Sequence, residues 1–170
     1  MPQNTTFTIK FLIYLIFLNV SYNIKILGVI IISIYIVEPE KLIKTLAEKL
    51  REFPEITPPE GSEFWKTAFF KELAPIDYEN FWYIRCASIL RKIKKFGPVG
   101  VNKLRKYYGG KNRKGPGLHH SAKGSGKIIR VAMQQLEDAN LIMKQERDGR
   151  ITSPEGTSLL ERTAYGILRK

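Results

Sequence analysis

The middle of the chain carries charge of only one sign. From Asn80 to Leu136 the sequence has no aspartate and no glutamate, yet it has 14 of the 28 lysine and arginine residues. Residues 1–79 hold 8 basic and 10 acidic side chains, and residues 137–170 hold 6 of each, so this stretch accounts for the net charge of +12. Soluble surfaces normally mix both signs. A block of one sign, threaded with helix-forming and aromatic residues, therefore indicates a polyanionic partner that neutralises it.

Length and composition limit the alternatives. A chain of 170 residues, 44% of them hydrophobic, fits one globular domain. The single cysteine, Cys86, excludes an internal disulfide and a multi-cysteine zinc site. The pair His119-His120 has no acidic or cysteine neighbour that would complete a metal site. Because the sequence also shows no carboxylate pair, no nucleophile with a base and no cofactor-binding loop, we expect neither an enzyme nor a bound cofactor or metal.

The start of the chain has a different composition. Residues 1–31 form an apolar extension, and the nearly uninterrupted apolar run lasts from Phe11 to Val37. Its length would allow a membrane span, although Lys25 near the middle would cost roughly 3 kcal/mol on insertion. A signal peptide fits less well, because a clear basic start and a small-residue cleavage site are missing. Residues 1–36 contain ten isoleucines, a bias typical of translated AT-rich non-coding DNA. We therefore favour a misassigned start over a membrane span, and a membrane partner is not expected.

Two helices are predicted before the acid-free stretch. The first opens at Glu38-Pro39-Glu40, with acids and a proline in its first turn, and ends before Pro54. Its apolar residues recur at helical spacing: Leu42, Ile43, Leu46, Ala47 and Leu50. A second, short helix is predicted from Ser62 to Phe70, with Phe64, Trp65 and Ala68 on its apolar side. Trp65 could stack a base, but core packing is favoured.

A long amphipathic helix from Asp77 to Phe96 is predicted at the centre. Asp77 is a suitable N-cap, and Gly97-Pro98 ends the helix. The predicted apolar arc comprises Trp82, Cys86, Ile89, Leu90, Ile93 and Phe96. The polar arc comprises Arg85, Ser88, Arg91, Lys92 and Lys95. A solvated helix face normally interleaves glutamate with lysine. This arc has no acid, so we expect it to bind anions, with Arg91 pointing away from the core.

A helix-turn-helix with a long basic loop is predicted next. Val99 to Tyr108 is the first helix, and the run from Gly109 to Gly124 has no apolar period, so it is expected to be mobile until bound. Ser125 is predicted to cap the second helix, whose N-terminus suits phosphate. The remaining candidate anion-binding residues lie on these segments: Lys103, Lys106, Lys111, Arg113, Lys114, Lys123, Lys127 and Arg130.

A hairpin and a final helix complete the pattern. Residues 140–146 are strand-like, Asp148-Gly149 is a turn, and Arg150-Ile151-Thr152 begins the return strand. Ser153-Pro154-Glu155 starts the last helix. The predicted fold is therefore mainly α: a winged-helix-like helical domain around a central amphipathic helix, with a small β-hairpin wing. Winged helices bind nucleic acid or protein, and the charge favours nucleic acid.

Six segments occur in a specific order and spacing: Lys71-Glu72-Leu73-Ala74-Pro75, Phe81 to Ser88, Tyr108-Gly109-Gly110, Lys123-Gly124-Ser125, Leu136-Glu137 and Leu141 to Gly156. This pattern resembles the archaeal and eukaryotic small-subunit ribosomal protein S-nineteen-e family, and residues 34–43 resemble the usual opening of that family. The resemblance covers about residues 32–170, which we expect to be a single RNA-binding ribosomal domain. The chain departs from many relatives at Cys86 and in its Gly115-Pro116-Gly117 loop.

The resemblance implies a structural constituent of the cytoplasmic ribosome. Proteins of this family bind small-subunit rRNA in the head and, in eukaryotes, are needed for rRNA maturation, so we expect this rRNA and neighbouring small-subunit proteins as partners, a role in subunit assembly, and no obligate homo-oligomer. The sensitive basic positions of the family match Arg85, Arg91 and Arg130. The alternative is a DNA-binding winged-helix regulator, which usually needs a dimer helix and a recognition helix rich in base-reading side chains. Charges spread over a helix face and a loop favour irregular RNA.

Peptide mapping of the native protein tests the predicted start. If residues 1–31 are not translated, the N-terminal peptide should begin between Leu27 and Val37. Recovery of a peptide that spans Met1 to Lys10 would contradict this expectation, and recovery of the protein in a membrane fraction would favour the membrane span.

Overall fold

The computed structural model describes residues 34–113, 115–146 and 148–169. The apolar extension (residues 1–31), most of the candidate membrane span and the candidate Lys114 lie outside the described residues. Within the part of the chain that is described, no helix combines the length and the apolar character needed to cross a membrane.

Helices make up most of the structure, and two short hairpins complete it. The helices are α1 (Pro39–Leu50), α2 (Tyr78–Phe96), α3 (Val101–Tyr107), α4 (Gly126–Asp138) and α5 (Pro154–Leu168). The strands are β1 (Gly110–Asn112), which pairs antiparallel with β2 (His120–Ala122), and β3 (Ile142–Gln145), which pairs antiparallel with β4 (Gly149–Thr152). Because α3 and α4 are followed by the β3–β4 wing, the predicted mainly helical, winged-helix-like fold is confirmed.

The central helix α2 provides the surface on which the core assembles. Its buried side chains are Trp82, Cys86, Ala87, Ile89, Leu90 and Ile93, and they pack in one cluster with apolar residues of α1, α4 and α5. Both ends of α2 are as predicted: Asp77 accepts a hydrogen bond from the Asn80 N–H at 3.3 Å, and Gly97 has a φ of 70°, which favours glycine. Burial raises the pKa of the Cys86 thiol to about 12, as expected for a core residue.

One residue of the predicted apolar arc does not belong to the core. Phe96 is 36% exposed, and its ring stacks on Tyr107 of α3 with the ring centroids 4.9 Å apart. It is the last residue of α2, and the chain reverses at Gly97, so α3 lies beside this ring and leaves part of it uncovered. The prediction for Phe96 is therefore wrong.

The predicted helix from Ser62 to Phe70 is also wrong. The structure has only a 3₁₀ turn at Ser62–Phe64, and the side chain of Phe64 is 78% exposed. Trp65 has an extended backbone, which ends the turn, and a short helix is unstable without a packed apolar face. Trp65 is half-buried, and its ring packs in a T-shaped arrangement against Trp82 with the centroids 6.2 Å apart. The expected packing of Trp65 against the core is therefore confirmed for the part of the ring that contacts Trp82.

The first helix of the helix-turn-helix begins later than predicted. Val99 exchanges two backbone hydrogen bonds with Arg150 of β4, at 3.0 and 3.2 Å, and so forms an isolated β-bridge to the wing. Helix α3 therefore starts at Val101. Since the two partners are far apart in sequence, local periodicity gives no sign of this pairing.

The run from Gly109 to Gly124, predicted as a long loop, contains the β1–β2 hairpin. Glycine lets its ends pass closely: a Cβ on Gly124 would lie 2.7 Å from the Tyr108 carbonyl oxygen. Ser125 occupies the predicted N-cap position of α4, but its side chain makes no capping hydrogen bond. Its backbone N–H instead donates to the Thr67 carbonyl at 2.8 Å. Mobility of the run before binding stays a prediction.

Glu137 of α4 fastens the wing to the helical body. Lys144 and Arg150 are paired across β3 and β4. The Lys144 Nζ lies 3.1 Å from one carboxylate oxygen of Glu137, and the Arg150 Nε donates to the other at 3.0 Å. Desolvation acts to raise the pKa of Glu137, but the hydrogen bonds from Lys144 and Arg150 and their charges hold it below its usual value.

We expect Glu137→Gln to lower the free energy of unfolding by roughly 1 kcal/mol at neutral pH, because it removes the charge from a partly exposed ion-pair network. The pKa of this carboxyl is depressed in the folded protein, so the stabilisation is present above its unfolded value of about 4.3 and is lost as the pH falls through the folded value. Urea denaturation of both proteins should therefore show a difference that shrinks in acid.

The matched control is Glu146→Gln, at an exposed position of the same wing. It should change the unfolding free energy by less than about 0.5 kcal/mol. A difference between Glu137→Gln and the native protein that is the same at every pH would show that packing, and not charge, is lost.

Candidate nucleic-acid interface

Three of the predicted polar-arc residues converge on one tyrosine. Arg85 and Lys92 lie seven residues apart on α2 and therefore share a face, with Ser88 between them. The Arg85 guanidinium carbon is 4.1 Å and the Lys92 Nζ 4.5 Å from the centroid of the Tyr108 ring. The Ser88 Oγ shares a 2.8 Å hydrogen bond with the Tyr108 hydroxyl. Tyr108, which follows α3, thus attaches α3 to the polar arc of α2.

The charges in this cluster are incompletely solvated. Burial lowers the pKa of Arg85, whose guanidinium also lies 4.8 Å from the Phe81 ring centroid. Burial, followed by repulsion from Arg85, Arg91 and Lys95, lowers the pKa of Lys92. An anion that approached these side chains would offset both effects, because it would favour the charged forms.

Arg91 is less free than its position on the polar arc predicts. The residue is half-buried, and its Nε is enclosed without a hydrogen-bond partner within the described residues. Ala87, one turn earlier on the same side of α2, is buried, so the core reaches this edge of the arc. The expectation that the Arg91 side chain simply points away from the core is therefore wrong.

An exposed aromatic surface adjoins the polar arc. The stacked rings of Phe96 and Tyr107 are 36% and 45% exposed. The Lys92 Nζ lies 4.7 Å from the Tyr107 centroid, and the Lys95 Nζ lies 5.6 Å from the Phe96 centroid. Exposed rings beside cations can stack bases while the cations contact phosphates. Sequence reasoning missed both rings, although the Tyr107-Tyr108 pair among lysines was a signal for this surface.

The other predicted residues surround this region or lie on the hairpin and α4. Those with exposed side chains include Lys103, Lys106, Lys111, Lys123 and Arg130. On the hairpin, the Arg113 Nε donates to the His119 Nε2 at 3.3 Å. At the start of α4, the Lys127 Nζ lies 4.0 Å from the Trp65 ring centroid. Within the described residues no group of three His, Cys, Asp or Glu side chains could hold a metal ion.

Two further cations of the acid-free stretch are engaged within the fold. The Arg105 Nε donates to the Gly124 carbonyl at 3.1 Å, and this bond ties α3 to the segment that leads into α4. The Lys94 Nζ donates to the Thr157 hydroxyl at 3.3 Å on α5. Neither was among the predicted anion-binding residues, and the structure assigns both to packing contacts between elements.

The candidate cations have no acidic partners in the part of the chain that the structure describes. All ion pairs found there involve other cations: Lys41, Lys44, Lys94, Lys144 and Arg150. We call the predicted polar arc of α2, together with Lys103, Lys106 and the rings of Phe96, Tyr107 and Tyr108, the α2–α3 surface. Mutual repulsion among its cations is therefore not relieved by internal carboxylates. A polyanion is the partner that would relieve it.

The fold and this surface define a class, that of small, basic, winged-helix-like proteins with an electropositive aromatic face. The sequence model of the family described as ribosomal protein S19e matches residues 33–170. The chain is 46% identical over 140 residues to small ribosomal subunit protein eS19 of Haloarcula marismortui, covering 80% of this chain and 91% of that one. It is 41% identical over 136 residues to the Aeropyrum pernix eS19, covering 79% and 88%.

A nematode relative extends the match to eukaryotes. The chain is 35% identical over 133 residues to small ribosomal subunit protein eS19G of Ascaris suum, covering 78% of this chain and 89% of that one. The chain therefore belongs to the ribosomal protein S19e family, a family of structural ribosomal proteins and not of enzymes. The resemblance inferred from the sequence motifs is confirmed.

The contacts of Arg85 predict a role in stability that Lys95 does not share. Because its guanidinium is partly buried against two rings, we expect Arg85→Ala to lower the free energy of unfolding by about 2 kcal/mol. Lys95→Ala, at an exposed position of the same arc, should change it by less than about 0.5 kcal/mol. Urea denaturation followed by circular dichroism measures both, and an effect of Arg85→Ala as small as that expected for Lys95→Ala would show that the ring contacts of Arg85 contribute no stability.

Proposed function

We propose that this protein is a structural constituent of the small ribosomal subunit in the cytoplasm, where it binds rRNA through the α2–α3 surface. The observation that carries the proposal is the set of cations around Tyr107 and Tyr108 that have no acidic partner among the described residues. The relatives named small ribosomal subunit proteins support the location in the subunit.

The arrangement suits an irregular RNA backbone. The candidate cations are distributed over α2, α3, the β1–β2 hairpin and the start of α4, so they can reach phosphates that do not lie on one straight groove. Arg85 and Arg91 supply planar guanidinium groups, which can grip a phosphate in two places. The exposed rings of Phe96 and Tyr107 offer a surface for an unstacked base.

The finer features of the proposal follow the family resemblance. We infer that residues 32–170 act as one RNA-binding domain, that the rRNA bound is that of the subunit head, and that binding supports subunit assembly and rRNA maturation. Neighbouring small-subunit proteins are the other partners. An obligate homo-oligomer and a membrane partner are not part of this proposal.

A DNA-binding regulator fits the charge distribution less well. In a winged helix of that kind, α4 would be the recognition helix. Its exposed positions include Lys127, Arg130, Gln134 and Asp138, and the Lys127 ammonium already lies over the Trp65 ring. Six of the candidate cations lie instead on α2 and α3, where an RNA backbone is proposed to bind, against two on α4.

Salt dependence tests the proposed contacts. Binding to purified small-subunit rRNA should weaken steeply with salt, because each neutralised phosphate releases counterions. Lys95→Glu and Lys106→Glu, both at exposed positions, should weaken binding and reduce the salt slope by about 1 for each phosphate contact removed. Filter binding over a salt series measures both quantities, and sucrose-gradient sedimentation should show less of each variant in small subunits.

Arg162→Glu is the matched charge reversal, at an exposed position of α5 that lies outside the acid-free stretch of the sequence. It should leave the salt slope and the subunit fraction nearly unchanged. Affinity that does not depend on salt, or an equal loss in the Arg162 variant, would contradict binding by the α2–α3 surface.

A further inference from the structure

An exposed aromatic segment leads from the 3₁₀ turn towards α2. Residues 64–71, which we call the aromatic segment, contain four aromatic and two lysine side chains and no acid, and Glu63 and Glu72 flank them. Phe69 is 69% exposed, and its ring packs edge-on against that of Phe70 with the centroids 5.6 Å apart. Single exposed apolar residues need no explanation, whereas contiguous apolar surface marks an interaction site.

Contacts with α4 hold the aromatic segment in place. The Thr67 carbonyl accepts a hydrogen bond from the Ser125 N–H at 2.8 Å, directly before the first residue of α4. The Lys127 Nζ lies 4.0 Å from the centroid of the Trp65 ring. The segment is therefore attached to the same part of the fold that carries the candidate cations of α4.

The hairpin base holds the segment on its other side. A Cβ on Gly110 of β1 would lie 3.2 Å from the Phe70 ring, so this ring packs directly on the strand backbone. Gly110 comes two residues after Tyr108, which the cations of the α2–α3 surface contact. The aromatic segment therefore adjoins the α2–α3 surface at the base of the hairpin.

The cations of this region are available to an anion. Lys66, Lys71 and Lys127 are exposed, and none of them forms an ion pair with a side chain that the structure describes. Lysine is depleted from the interfaces of protein complexes, where its charge would have to be desolvated. A nucleotide carries both a flat ring and a negative charge, so it matches exposed rings beside lysines.

We propose that the aromatic segment binds single-stranded RNA, with an unpaired base stacked on Phe69. Lys66 and Lys71 contact the phosphates on either side of that base. Stacking accepts any base, because every base has a π face, but the bases of a duplex are already stacked on each other. The inference rests on the rRNA binding proposed above and deepens it, because it adds a second surface, outside the acid-free stretch, that selects unpaired nucleotides.

Binding of labelled decauridine, which has no paired bases, to the purified protein tests the proposal by fluorescence anisotropy. Phe69→Ala should weaken this binding roughly tenfold, which is the size of one base–aromatic contact. The same substitution should leave the affinity for a short blunt-ended RNA duplex unchanged. The salt slope for decauridine should also stay the same, because a stacked base releases no counterion.

Further substitutions separate stacking from apolar contact. Phe69→Tyr keeps an aromatic face and should bind decauridine like the native protein. Phe69→Leu keeps apolar surface without a π face and should bind as weakly as Phe69→Ala. Tyr165→Ala, the matched control, removes a ring that is 58% exposed on α5 and should leave the affinity unchanged. Because Phe69 is largely exposed, its variants should keep the melting temperature of the native protein.

Tryptophan fluorescence locates the bound RNA. The chain has two tryptophans, and Trp82 is 1% exposed, so a change in emission on binding reports on Trp65 of the aromatic segment. Saturation with decauridine should change this emission, and unchanged emission would place the RNA elsewhere and contradict the proposal.

Three affinity results would also overturn it: unchanged decauridine binding in Phe69→Ala, native affinity in Phe69→Leu, or an equal loss in Tyr165→Ala. The first two would assign the exposed rings to a protein partner instead. Binding of rRNA by Lys106→Glu is the independent readout for the proposed function. It should be weakened whether or not Phe69 stacks a base, so the aromatic segment can fail this test while the α2–α3 surface passes its own.

Discussion

Contacts between cations and aromatic rings hold the basic surface of this protein together. Four candidate cations lie over rings and not beside carboxylates: Arg85, Lys92, Lys95 and Lys127. A carboxylate would position these side chains equally well, but it would also cancel their charge. An aromatic ring positions a cation and leaves its full charge available to a polyanion. From Asn80 to Leu136 the aromatic residues therefore position cations, and the absence of acids leaves the charge of those cations uncancelled.

Tyr108 shows how this solution depends on the fold. Its hydroxyl shares a hydrogen bond with Ser88, and its ring faces both Arg85 and Lys92. The residue comes directly after α3, so the position of α3 beside α2 fixes the cations, and the cations in turn help to keep α3 in place. Stability and surface charge are coupled here, which is why we expect the half-buried Arg85 and the exposed Lys95 of one arc to differ in their effect on stability.

Much of the fold could be predicted because it follows local rules. The periodicity of α1 and α2, the Asp77 and Ser153 caps and the Asp148-Gly149 turn are signals that lie within a few residues. The pairing of Val99 with Arg150 joins residues far apart in the chain, and no local pattern encodes it. The segment from Ser62 to Phe70 has helical spacing, but it lacks a continuous partner surface, so tertiary contacts decide its conformation.

The candidate site was predictable in its charge but not in its geometry. Counting lysines and arginines located the electropositive surface. It could not show that Arg105 ties α3 to the segment before α4, that the Nε of Arg91 is enclosed, or that Phe96 leaves the core to stack on Tyr107. These differences depend on which element covers each side chain, which only the packed structure determines.

The structure divides the cations into held and free groups, and this division bears on how a polyanion is recognised. Arg85 and Lys92 are fixed against rings before any ligand arrives, so little side-chain entropy is lost when they contact a phosphate. Lys103 and Lys106 are exposed and can adjust to an uneven backbone, at a larger entropic cost. In the proposed rRNA contact, a fixed centre with an adaptable rim would combine a defined register with tolerance of irregular RNA shape. A surface of freely moving lysines would attract RNA but would not fix its orientation.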